Sequence, residues 1–181
     1  MMEVKKAFPI FKYNIMEKGF TLLDFSIYIA ILGITLSIIG AITLNIFFGR
    51  AKLIAIEEVS QNSRFILEKI SRKIHNAESI NSPLKGASDT LLSLQIKDPS
   101  KNPTIFYLAD GIIRIQEGNN PPVILNSDEV VVTNLQFTNL SYPDTPGTIR
   151  IQMDVRFVNP SNRQEYNFGK TFYTTVNIRK K

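Results

Sequence analysis

One carboxylate, Asp24, stands five residues after Gly19, at the head of an uncharged run from Phe25 to Gly49. An acid beside so apolar a stretch is costly in lipid, and by default it marks a site whose partner should be named. The alternative is a helix-start acid favoured by the helix dipole. Other chemistry is sparse. The single histidine, His75, has no second His and no Cys anywhere in the chain, and it reads as a solvated or capping side chain. No GxSxG, HExxH, Walker-type or paired Cys-His arrangement occurs. Asp110 and Asp144 lie in turn sequences, Asp128-Glu129 precede a strand, and a calcium loop needs a denser acidic run. The absence of cysteine excludes disulfides and thiolate chemistry. The chain therefore reads as a non-enzyme with no cofactor and no metal.

The element that must position Asp24 is a helix. At ~1.5 Å per residue the run of about 25 residues spans ~37 Å, enough to cross a ~30 Å hydrocarbon core once with some tilt. Lys5, Lys6, Lys12 and Lys18 precede it, so the positive-inside rule puts the N-terminus in the cytoplasm and the remainder outside the cell membrane. Arg179, Lys180 and Lys181 end the chain, so most of the net charge of +5 is topological or terminal. Ser26, Ala30, Gly33, Ser37 and Gly40 recur at spacings of four and three along the run. Such a stripe allows close helix approach in membranes, although a composition rich in Ile and Gly also produces one by chance. Gly33 and Gly40 weaken the helix locally.

Lys18-Gly19-Phe20-Thr21-Leu22-Leu23-Asp24, leading into the apolar run, resembles the processing site of type IV prepilins and type II secretion pseudopilins. The resemblance implies that a prepilin peptidase cuts after Gly19 and that Phe20 becomes the new, N-methylated terminus. It implies too that Asp24 pairs with the N-terminal amine of a neighbouring subunit, where the family usually carries Glu. A residue without a side chain at Gly19 suits an extended backbone entering a protease. The leader would be residues 1–19 if translation starts at Met1, or Met16-Glu17-Lys18-Gly19 if it starts at Met16. Implied partners are other pilin or pseudopilin subunits, the peptidase, an inner-membrane assembly platform, and lipid before assembly. The destination would be a pilus or pseudopilus.

Beyond the transmembrane segment 20–49, charged residues alternate with Ile56, Val59, Phe65, Ile66, Ile70, Ile74 and Ala77, which repeat at three and four. This predicts an amphipathic continuation over 50–80, one helix from about Phe20 to about Glu78, ended by Asn81-Ser82-Pro83 and Gly86. From 84 to 181 the period becomes two. Strands are expected at Thr90–Ile96, Thr104–Leu108, Ile112–Gln116, Val123–Leu125, Val130–Leu140, Thr148–Val158 and Phe168–Ile178, forming one antiparallel sheet. Asp110-Gly111 signals a two-residue hairpin, and Gly169 a bulge in the last strand. Ile149, Ile151, Met153, Val155 and Phe157 should share the face that receives the helix stripe. The expected fold class is α+β, a long helix packed on an antiparallel sheet. That layout is similar to pilins, and more finely to J-type or PilW-like minor subunits.

Two functions from different classes follow. In one, the chain is a structural filament subunit. In the other, it is a tip or competence-type binding subunit that contacts DNA or a surface ligand through Arg114, Arg150, Arg156, Arg163, Lys170 and Arg179. The solvated outer face of a sheet is the plainer reading of those residues.

Overall fold

The computed structural model describes Gly19 and residues 21–179, so the expected leader up to Lys18, and Phe20, lie outside the described residues. The fold is α+β. Among the described residues one long helix, α1 (Leu22–His75), is followed by nine strands: β1 (Ser79–Ser82), β2 (Ser88–Asp89), β3 (Leu92–Gln95), β4 (Thr104–Ala109), β5 (Ile112–Glu117), β6 (Val123–Ile124), β7 (Val130–Asn139), β8 (Thr148–Phe157) and β9 (Gly169–Asn177). The chain divides into two compact units between Leu44 and Asn45.

In the first unit, α1 is long and apolar enough to cross a membrane. Every side chain from Leu22 to Leu44 is exposed, so none of the described residues covers this segment. Its hydroxyls are satisfied by the helix itself: Ser26 donates to the Leu22 carbonyl at 2.9 Å, Ser37 to Gly33 at 2.8 Å and Thr43 to Ile39 at 2.8 Å. Internal pairing of this kind is what a lipid surround demands.

In the second unit, α1 buries Ala51, Ala55, Val59, Ser63, Ile66, Ile70 and Ile74, a stripe at intervals of four and three. Its members Val59, Ile66, Ile70 and Ile74 pack into one core with Leu92, Leu94, Phe106, Ile113, Leu135, Phe137, Ile149, Ile151 and Met153. Val59, Ile66, Ile70 and Ile74 are the residues expected to face inward, but Phe65 is 55% exposed and Ile56 only half-buried. The true stripe runs through the small residues Ala55 and Ser63, which hydrophobicity alone does not mark.

The expected helix end near Glu78 is corrected to His75. The amides of Asn76 and Ala77 bond three residues back, to Lys73 and Ile74, and Glu78 then donates to the Gln95 carbonyl at 2.8 Å. Ser79–Ser82 thereby becomes a strand paired with β3.

The single sheet is also corrected. There are two antiparallel sheets, ordered β1-β3-β4-β5-β6 and β2-β7-β8-β9. Asp110 and Gly111 both have positive φ (54° and 75°) and join β4 to β5 as the hairpin signal requires. A Cβ on Gly111 would lie 2.4 Å from Val131 Cγ2, so this turn packs tightly on β7. Alternation in β8 buries Ile149, Ile151, Met153 and Val155, with Phe157 half-buried.

Gly169 is not a bulge. It opens β9, whose register with β8 runs unbroken from Thr148 opposite Asn177 to Arg156 opposite Gly169. In this sheet the irregular step lies in β7, between Val132 and Asn134. The missing side chain at Gly169 instead leaves room for Arg156, whose Cγ would be 2.7 Å from a Cβ there.

Candidate assembly site at the head of the helix

The first residue of α1 is Leu22, which makes Thr21 the N-cap and Asp24 the third helical position. Thr-Leu-Leu-Asp is the spacing of a capping box, in which N-cap and third residue satisfy each other's orphan amides. The geometry is complete. The Thr21 N–H donates to Asp24 Oδ2 at 3.0 Å, the Thr21 hydroxyl donates to the same oxygen at 2.7 Å, and the Asp24 N–H donates back to Thr21 Oγ1 at 3.2 Å. The sequence reading treated Asp24 alone and missed Thr21. The signal was present in the Thr-x-x-Asp spacing.

Asp24 is exposed, and Thr21 is the side chain that engages it among the described residues. No cation from the chain's described residues meets it within ion-pair distance. Among the described residues, the carboxylate thus enters the apolar segment with hydrogen bonds and no counter-charge.

Ser26, Ala30, Gly33, Ser37 and Gly40 are all exposed, and nothing lies within 4 Å of a Cβ built on Gly33 or Gly40. At 100° per residue these five fall within an arc of about 80°, and Asp24 lies about 160° around the axis from the centre of that arc. The small residues and the carboxylate therefore occupy opposite faces of one helix. Gly19 precedes the helix, and no described residue lies within 4 Å of a Cβ built on it.

The basic residues considered for DNA do not gather. Arg150 and Arg156 share the outer face of β8 with Asp154 between them, but Lys170 pairs in register with buried Val155 and so lies on the other face, its Nζ 5.4 Å from the Phe172 ring. Arg163 is held by Glu165 and sits 5.3 Å from the Tyr166 ring. Arg114 belongs to the other sheet, and Arg179 follows β9, its backbone N–H donating to the His75 carbonyl at 3.3 Å. Half-buried His75 is itself structural: Nδ1 donates to the Asn177 carbonyl at 2.7 Å, tying the helix end to the last strand. Among the described residues, no three His, Cys, Asp or Glu side chains come together as metal ligands.

No protein-family model, curated protein or solved structure matches this chain.

Proposed function

We propose that this chain is a structural subunit, a minor pilin or pseudopilin with a pilin-like fold. In this reading it is cut after Gly19 and drawn from the membrane into a pilus-like or secretion-type filament by bundling of its N-terminal helix. The observation that carries the reading is the state of Asp24. It is a carboxylate in the first turn of an exposed apolar helix, hydrogen-bonded by Thr21 and, among the described residues, without a counter-charge. An amine freed at Phe20 of a neighbouring subunit would supply that charge at the matching depth. Such a pair is strong where water is excluded.

The opposed faces support the same conclusion. A helix that packs closely through Ser26, Ala30, Gly33, Ser37 and Gly40 on one side and meets a charge on the other touches different neighbours through different surfaces. Contacts of that heterologous kind propagate into helical assemblies rather than closing as two-fold dimers.

The test is recovery of the chain from sheared surface filaments. Wild type should appear there, and Asp24→Asn should stay in the membrane fraction with its leader removed. Equal incorporation of the two would exclude the pairing role.

A further inference from the structure

Sheets expose unpaired backbone groups at their edges, and proteins usually blunt those edges by keeping the strands short. Three of the four sheet edges here follow that habit: β1 has four residues, β6 two and β2 two. The fourth edge is β9, with nine residues.

The ladder shows which of its backbone groups are free. Phe157 donates to the Phe168 carbonyl and Ile178 to that of Gly147, and both pairs keep the β8–β9 register. In an antiparallel pair, hydrogen-bonded residues alternate with non-bonded ones. The even-numbered residues of β9 therefore bond to β8, while Gly169, Thr171, Tyr173, Thr175 and Asn177 turn their N–H and C=O groups outward. Asn177 is closed off by His75. The stretch from Gly169 to Thr175 remains open, about 20 Å of backbone donors and acceptors at ~3.4 Å per residue. Beside it, Phe172 and Thr174 on the inward face are only half-buried, so the core is incompletely covered at this edge.

Charge defines the complement. Arg150 and Arg156 flank the edge from β8, with the Arg156 side chain lying across Gly169; Lys170 lies on the strand and Arg179 just beyond it. Asp154 is the one acid on these two strands. A second copy's β9 would bring the same excess of positive charge to the contact. An acidic strand would find a base on each face.

We infer that the free edge of β9, from Gly169 to Thr175, is a docking site for an extended, acidic segment of another polypeptide, which adds as a further strand to the four-stranded sheet. The backbone supplies the ladder, and Arg150, Arg156 and Lys170 select for acidic side chains. Nucleic acid could use the arginines but not the row of backbone groups. The site is independent of any cut at Gly19.

The experiment uses the full chain in detergent micelles. The probe is a nine-residue peptide alternating valine with glutamate and threonine; its counterpart is N-methylated at the residues that would face β9. The unmodified peptide should bind saturably and slow amide exchange at Thr171, Tyr173 and Thr175, leaving the already paired Phe172 and Thr174 unchanged. N-methylation should weaken binding roughly tenfold or more, since several ladder bonds are lost at once. Thr171→Pro, which removes an outward N–H and no bond to β8, should do the same with an unchanged melting midpoint. Should that variant melt early, the N-methylated peptide carries the comparison on the wild-type chain. Equal binding of the two peptides, no protection at these three amides, or the same protection by an oligothymidylate would overturn the proposal.

Discussion

Asp24 and Thr21 close a reciprocal ring at the head of α1, each side chain accepting the other's backbone N–H. The ring gives Asp24 a role in helix initiation that is separable from its charge. Asp24→Asn keeps an oxygen for the Thr21 amide and loses the charge, whereas Thr21→Val loses the hydroxyl and keeps the charge. If charge pairing drives assembly, Asp24→Asn should lower incorporation into sheared filaments by roughly tenfold or more, and Thr21→Val should lower it less. Quantitative immunoblots of filament and membrane fractions separate the two.

Ser63 is fully buried in the helix stripe, and its hydroxyl has no hydrogen-bond partner among the described residues. Burying such a group is unfavourable, and alanine is the better helix former. Ser63→Ala should therefore stabilise the protein, by about 0.5–1.5 kcal/mol, seen as a higher melting midpoint. Ile70→Ala on the same stripe should cost about 2–5 kcal/mol through the cavity it leaves. Ile38→Ala in the uncovered segment should leave that midpoint unchanged.

Asn126 is buried and joins three segments. Its Oδ1 accepts from the Ile113 N–H at 2.8 Å, and its Nδ2 donates to the carbonyls of Val130 at 3.0 Å and Ser127 at 3.2 Å. Asn126→Leu strands these backbone groups away from water and should destabilise by about 2–4 kcal/mol, more than one lost hydrogen bond. Chemical denaturation with an unchanged m-value would check this.

The sequence made the repeating parts of this fold legible and left the pairings hidden. Val59, Ile66, Ile70 and Ile74 declared the inward stripe by period, β8 declared its buried face by strict alternation, and Asp110-Gly111 declared its turn by the need for positive φ. Ser79–Ser82 is too short and polar to signal a strand, and it becomes one by pairing with β3. Alternation says which face of a strand is buried and nothing about its neighbour, so two sheets read as one. Phe65 obeyed the hydrophobic spacing and still faces outward, because Ser63 and Ile66 take the inward positions. At the candidate site, Asp24 stood out by its isolation, whereas its bonding to Thr21 depended on where the helix begins.

Asp98 offers a test of pH dependence away from the anchor. Hydrogen bonds from the Ser100 hydroxyl and amide hold its carboxyl below the usual range, helped by Lys101 at 3.6 Å. A lowered folded-state pKa contributes stability above the unfolded value, and the contribution is lost as pH falls through the folded one. Asp98→Asn should melt slightly earlier than wild type at neutral pH, and the gap should close in acid below the carboxylate range. Melting curves across that range decide it.

The most direct test of the central claim is the N-terminal mass of the protein from sheared filaments and from membranes of the same cells, with Gly19→Val alongside. A chain beginning at Phe20 and carrying a methyl group, replaced in the variant by one that retains its leader, is the result expected of a processed filament subunit. An intact leader on the wild-type chain in every fraction would contradict the account.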